Sequence, residues 1–228
     1  SYNIGFNFTY IKNNVDKFKG DDPSYDGARM LKEGLPIWSL YVREVDRIVQ
    51  TDEDLALVQS MLDNPDVKGK VVFPYGTPQK GDILYKDLNG DGYITEDDRT
   101  VIGNTNPKVQ GGFGLSGQWK GFDFAMNFNF MLDFDVNNAT AYQLSSSESN
   151  KNKFYNVLST FADKGWRYTR DGDGECLYKC YYIDGSLDMY RELNEGRTLW
   201  NPTDVTKKIT HSYFIEDGSF LRCQDLTV

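Results

Sequence analysis

The first ten residues, SYNIGFNFTY, alternate strictly. Tyr2, Ile4, Phe6, Phe8 and Tyr10 fall on one parity, and Asn3, Gly5, Asn7 and Thr9 on the other. Period two is the signature of a strand with one apolar and one polar face. At about 3.3 Å per residue, Tyr2 to Tyr10 spans roughly 26 Å. The same alternation returns in GFGLSGQWKGFDFAMNFNFMLDF, 112–134. Phe113, Leu115 and Trp119 share one parity, and Phe122, Phe124, Met126, Phe128, Phe130, Leu132 and Phe134 share the other. A two-residue hairpin loop at Lys120-Gly121 reconciles them. It sets Trp119 opposite Phe122, Gly117 opposite Phe124, Leu115 opposite Met126 and Phe113 opposite Phe128. Every large apolar side chain then lands on one face. A slip of one residue would scatter them, so the register is well specified. Further strands are expected at 37–49 and 213–228. Helical spacing predicts a helix over 51–64, with a Thr51/Asp54 capping pattern and Leu55, Val58, Met61 and Leu62 in step. A second helix is expected at 153–164, with Phe154, Val157, Leu158 and Phe161. Each would be a satellite packed on its own surroundings or a docking surface for a partner, and the packed satellite is the simpler reading.

The opposite face decides the fold class. It carries Asn3, Asn7, Gln118, Asp123, Asn127 and Asn129 with little aliphatic bulk. A sandwich core or a small filled barrel would not tolerate that, whereas a wide barrel with a wet or plugged lumen would. The expected fold is all-β: a segment of an antiparallel transmembrane β-barrel, part of a large plugged barrel, with long extracellular loops containing short helices. The apolar stripe of 122–134 is long for an ordinary strand, and a lipid-facing band about 25 Å tall with aromatic rims would accommodate it. Lys120-Gly121 is a minimal turn and is therefore expected on the periplasmic side. The chain before about 108 and after about 134 is then extracellular. Continued as a meander, 1–13 would run inward, 37–49 outward, and 14–36 would be a periplasmic connection.

Composition agrees with this picture. Of 228 residues, 15 are Tyr and 14 are Phe, a load usual for β-rich and membrane-interface proteins. The formal net charge of −9 argues against a nucleic-acid partner, which would need clustered Lys and Arg. No run approaches the roughly 18 apolar residues of a membrane helix. Ser1 opens directly into a strand pattern without a signal sequence, and Val228 ends inside one, so the chain reads as a fragment of a longer polypeptide. Cys176 and Cys180, four apart, are read as free or casually paired loop thiols, and with Cys223 they make no disulfide framework. A single histidine, His211, excludes most histidine-based catalysis and disfavours zinc. No carboxylate pair stands out as in a glycosidase. The chain is not expected to be an enzyme.

Residues 87–98, DLNGDGYITEDD, carry the second candidate site. Asp87, Asn89 and Asp91 are spaced by two, Gly92 follows, and Asp98 closes the loop. This is the spacing of a calcium loop, in which alternate oxygens converge on one ion. Tyr93 would offer its backbone carbonyl and Thr95 its hydroxyl, directly or through water. Asp98 replaces the usual Glu. The preceding DILYK, 82–86, reads as extended and not as a helix, so a static calcium brace fits better than a sensor. The alternative is a metal-free turn built on Asx and Gly chemistry. DGDG at 171–174 reads as a plain turn.

In this order the motifs resemble the C-terminal barrel region of SusC/RagA-type TonB-dependent outer-membrane transporters. The matching stretches are EGLPIWSLYVREVDRIVQ (33–50), GDILYKDLNGDGYITEDDRTVIGNTNPKVQGGFGLSGQWKGFDFAMNFNF (81–130) and SYFIEDGSFLRCQDLTV (212–228). Where the family usually shows Gly-Tyr and a later Asp-Gly, this chain has Val42-Arg43 and Asp46-Arg47. The resemblance implies a large plugged barrel in the outer membrane of a Gram-negative bacterium, importing glycan or peptide fragments. It also implies a SusD-like surface lipoprotein as lid and TonB as energy source, acting through parts outside this chain. Asn7, Gln118, Asp123, Asn127 and Asn129 are then candidate lumen-facing substrate contacts. The rival from another class is a soluble calcium-stabilised β-module for carbohydrate binding or adhesion, and a glycosidase domain ranks third.

Overall fold

The computed structural model describes residues 1–73, 75–145, 157–166, 194, 196–201 and 209–228. Cys176, Cys180, the DGDG turn and residues 153–156 lie outside them. The strands in chain order are β1 (Tyr2–Tyr10), β2 (Ser24–Asp26), β3 (Arg29–Leu31), β4 (Ser39–Arg43), β5 (Val45–Ile48), β6 (Ile83–Tyr85), β7 (Arg99–Gly103), β8 (Val109–Trp119), β9 (Phe122–Leu132), β10 (Asp135–Asn137), β11 (Ile215–Asp217) and β12 (Phe220–Thr227). The helices are α1 (Asp52–Leu62), α2 (Ala139–Leu144) and α3 (Ser159–Lys164). No helix among the described residues is long and apolar enough to cross a membrane. The chain divides into two units, one of residues 1–42, 101–138 and 215–228, the other of 43–100 and 139–214.

The first unit is built on an antiparallel sheet of order β1-β8-β9-β12. The β8–β9 hairpin has the expected register, with Trp119 opposite Phe122, Leu115 opposite Met126 and Phe113 opposite Phe128. The Phe113 and Phe128 rings stack at 4.7 Å. Lys120 and Gly121 both take positive φ, 49° and 87°, as a two-residue turn between right-twisted strands requires. Gly117 and Gly111 leave room on the apolar face for neighbouring rings: a Cβ on Gly117 would lie 2.7 Å from the Phe124 ring, and one on Gly111 2.8 Å from the Phe130 ring. The apolar face is bare. Tyr2 is 83% exposed, Phe6 70%, Trp119 68% and Phe122 68%.

Three expectations about this unit need correction. First, β1 pairs with β8, Tyr2 opposite Gly117 and Tyr10 opposite Val109, and not with 37–49. Its Tyr2 end therefore lies beside the Lys120-Gly121 turn, β1 runs away from that turn, and 14–36 departs from the far end. Strand neighbours here are set by long-range pairing, which a meander assumption skips. Second, 37–49 is two short strands in separate sheets. β4 belongs to the order β2-β3-β4-β7, and β5 pairs with β6. The burial of Ser39, Leu40, Val42 and Arg43 puts both faces of β4 in the interior, which no lipid-and-lumen strand allows. Third, β9 ends at Leu132. Asp133 takes a positive φ of 60° and breaks the alternation, and Phe134 lies instead against Gly218. The expected 213–228 strand is likewise divided, with a helical turn at Ser212–Phe214 before β11 and β12.

The second unit holds a core of Val49, Val58, Val67, Val72, Phe73, Leu84 and Ile94. α1 begins as its sequence predicts. Thr51 caps the helix and Asp54 reciprocates, completing the capping box. Leu55 and Met61 pack on the core with Val58, so this helix is a packed satellite. β6 confirms the extended reading of 82–86. α3 occupies part of the second expected helix and buries Phe161.

Candidate functional site

The polar face of the four-stranded sheet is an ordered wall. Its rows, read across β1, β8, β9 and β12, are Asn3–Ser116–Ala125–Thr227, Gly5–Gly114–Asn127–Asp225 and Asn7–Gly112–Asn129–Arg222. Gln118 pairs with Asp123 at the turn end. The five predicted lumen residues, Asn7, Gln118, Asp123, Asn127 and Asn129, therefore share one face. The glycines let the amides lie across the sheet. A Cβ on Gly114 would come 2.6 Å from Asn127 Oδ1, and one on Gly112 would come 3.7 Å from Asn7 Nδ2. Asn127 Nδ2 donates to Asp225 Oδ1 at 2.9 Å. These rows floor a cavity of about 770 Å³.

Asp225 and Arg222 belong to this wall and were not among the predicted residues. The β9–β12 register shifts between Cys223 and Asp225. That bulge at Gln224 puts Leu221, Cys223 and Leu226 on the apolar face despite their mixed parity, and Arg222 and Asp225 on the polar one. The broken alternation in FLRCQDLT was the available signal.

In the second unit the acidic loop folds as a run of Asx and glycine turns. Asp87 accepts from Gly90 N at 2.7 Å and Gly92 N at 2.8 Å. Asn89 Oδ1 accepts from Asp91 N at 3.0 Å, and Asp91 Oδ1 from Tyr93 N at 3.1 Å. Gly90 and Gly92 take φ of 75° and 84°. A side chain at Gly92 would meet Asn64 at 2.5 Å, so two constraints select glycine there. Asp98 is fully buried and accepts from Leu88 N at 2.9 Å and Thr95 N at 2.7 Å, pinning both ends of the loop. Among the described residues no three His, Cys, Asp or Glu side chains form a metal-holding group. Three of the six candidate donors are of other kinds, however: the Asn89 amide, the Tyr93 carbonyl and Thr95. Oxygens that accept one N–H keep a second lone pair. Asn89 Nδ2 also donates to Asp91 Oδ2 at 2.9 Å, and both oxygens of Asp98 are committed to backbone N–H groups.

Ile94 carries the loop into the core, with its N–H donated to Val72 O at 2.8 Å. Arg43, 5% exposed, holds the other side. Its guanidinium donates to Thr95 O at 3.0 Å, Tyr75 Oη at 2.9 Å and Glu96 Oε1 at 2.7 Å. Burial alone would raise the Glu96 carboxyl, but hydrogen bonds from Arg43 and Arg99 hold it below the ordinary carboxylate value. His211 sits among the rings of Tyr85, Trp200 and Phe214 with Nδ1 unpartnered. Burial pushes it down to about 3, so it is neutral at physiological pH. It has the environment of a core residue.

No family model matches the sequence. Among curated proteins, the chain is 28% identical over 243 aligned positions to TonB-dependent receptor P3 of Formosa agariphila, covering 100% of this chain and 19% of that protein. It is 27% identical over 158 residues to TonB-dependent receptor P39 of the same organism, covering 60% of this chain and 15% of that protein. The chain thus spans less than a fifth of either relative. Among solved structures, the RagAB peptide transporter and the RagAB peptide importer in its open-open state each match with a TM-score of 0.56 and 16% identity, over 99% of this chain and 20% of theirs. The chain is similar in sequence to two TonB-dependent receptors and shares its fold with part of the RagAB structures.

Proposed function

We propose that this chain forms part of the wall of an outer-membrane transporter that imports glycan or peptide fragments. The observation that carries the reading is the bare apolar face beside a wet polar one. A buried Phe or Leu is worth about 1.5–3 kcal/mol each over an exposed one. A stripe running from Tyr2 to Tyr10 and across β9 would not stay open to water. Lipid on that face and a water-filled lumen on the other satisfy both. A soluble β-module would have to bury the stripe. Neighbouring strands on either side of β1 and β12 complete the barrel, a SusD-like lipoprotein serves as surface partner, and TonB drives transport. The relatives' names support this, and RagAB is described as a peptide transporter. The test is uptake of size-fractionated peptide and glycan oligomers by cells with and without the gene. Oligomers should be lost from the uptake profile of the deletion strain. Identical profiles would overturn the reading.

We also propose that the 87–98 loop holds calcium through Asp87, Asn89, Asp91, the Tyr93 carbonyl and Thr95, with Asp98 bracing from the buried side. The spacing of Asp87, Asn89 and Asp91 supports it, and the Asx turns that they form are shared with the metal-free alternative. Calorimetric titration of the full-length receptor should show one binding event that Asp91→Ala removes. Identical traces for the two proteins would sink the metal claim.

A further inference from the structure

We propose that Asn89 is a self-modifying site: the Gly90 nitrogen attacks its side chain and converts it to aspartate or isoaspartate, at a rate that Asp87 and Asp91 hold down. The inference goes beyond the import and calcium readings and stands whether or not they do.

Asn89-Gly90 is the only Asn-Gly step in the 228 residues. Both residues are exposed, and Gly90 has open space where a Cβ would stand. Glycine offers the least steric resistance to attack by its own nitrogen. Nucleophile and target lie in adjacent residues, so the reaction is intramolecular. The Gly90 nitrogen gives its proton to solvent base and bonds to Asn89 Cγ. The Cγ–Nδ2 bond breaks, Nδ2 takes up a proton, and ammonia leaves. A five-membered succinimide remains, and water opens it. Breaking the new N–Cγ bond restores the ordinary backbone with aspartate at 89. Breaking the bond from that nitrogen to the main-chain carbonyl carbon of residue 89 routes the backbone through Cγ, as isoaspartate. One water enters and one ammonia leaves, with no oxidant or reductant.

The loop ties down the nucleophile and both ends of the side-chain amide. Gly90 N donates to Asp87 Oδ1 at 2.7 Å, so removing its proton would set a second negative charge beside a carboxylate. Asn89 Oδ1 accepts from Asp91 N at 3.0 Å, and Nδ2 donates to Asp91 Oδ2 at 2.9 Å. Turning Cγ onto the Gly90 nitrogen gives up both contacts. The reaction therefore runs from the minority of molecules in which these turns have opened. Its product changes the loop. Aspartate at 89 lacks the Nδ2 donor and sets carboxylates at 87, 89 and 91, which repel one another unless a cation lies between them. Isoaspartate adds one carbon to the backbone and shifts Gly92 out of the spacing.

The test incubates the full-length receptor at neutral pH in detergent with a chelator, so that no bound ion affects the rate. Residue 89 is followed by peptide mass spectrometry with fragmentation that separates aspartate from isoaspartate. Both products should accumulate there, about tenfold more slowly than in guanidinium-unfolded receptor. Asp87→Ala and Asp91→Ala should each raise the folded rate at least about threefold. Asn127, on β9, reports whether a variant has lost its fold. If Asp87→Ala speeds deamidation there too, Asp91→Ala, which removes a different contact, carries the test. No product at 89 in the folded receptor, a folded rate equal to the unfolded one, or a rate that neither substitution raises overturns the inference.

Discussion

Phe6→Arg is expected to destabilise the folded receptor by about 2–4 kcal/mol, whereas Asn7→Arg, one residue away, should cost less than about 1 kcal/mol. Phe6 lies midway along β1 on the apolar face, opposite Phe113, and the two ends of that face carry Tyr2 and Tyr10. With that face toward lipid, as proposed, a guanidinium at mid-strand would sit at the lipid midplane, where it is hardest to hydrate. Asn7 points to the opposite face, where a long cation reaches water. The cost should also depend on depth. Tyr2→Arg, at the rim beside the Lys120-Gly121 turn, should cost about 0–1 kcal/mol. The measurement is reversible urea unfolding of the three variants in lipid vesicles, read by intrinsic fluorescence. Equal losses at positions 6 and 7 would mean that the apolar face does not meet lipid, and the soluble-module reading would return.

That contrast was legible in the sequence because strand alternation is local and self-checking. The hairpin around Lys120-Gly121 could be registered residue by residue, since one turn and one parity change set eleven cross-strand pairs. What lay beyond local pattern was misread. β1 meets β8 across a long connection, and no periodicity names a partner so distant. The 37–49 stretch has the composition of a strand, yet tertiary burial on both sides of β4 sends it elsewhere. The wall was read in part for a similar reason. Asn7, Gln118, Asp123, Asn127 and Asn129 follow period two, whereas Asp225 hides behind the bulge at Gln224. In the acidic loop the spacing foretold the turns at Gly90 and Gly92. It did not foretell that Asp98 would be buried with both oxygens committed to backbone N–H groups, because the same aspartate can be a ligand or a cap, and only packing decides.

Packing also explains Arg43, which the sequence marked only as a departure from the family pattern. Its removal should have the second large effect. Arg43→Ala would strip donors from Thr95 O and Tyr75 Oη and remove the charge that faces Glu96. Glu96 is well exposed at its side chain, so water can replace that partner, and the ion pair itself contributes little. The backbone acceptor and the lost packing on the Tyr75 ring, 5.2 Å from the guanidinium carbon, are harder to replace. Together they set an expected loss of about 2–3 kcal/mol, concentrated in the second unit. Arg43→Lys keeps the charge but not the planar fork that reaches three acceptors at once, and should recover less than half of that loss. Limited proteolysis of the full-length receptor should find new cleavage between 87 and 100 in Arg43→Ala, less in Arg43→Lys, and none at β8 or β9. The loop bonds to Asp87 and Asp98 are separate from Arg43, so calcium titration of the same variant distinguishes the two supports. Weakened calcium binding in Arg43→Ala would mean that the clamp orders the loop for its ion. Unchanged binding would mean that the turns around Gly90 and Gly92 hold their shape alone, and that Arg43 serves the core on which the loop rests.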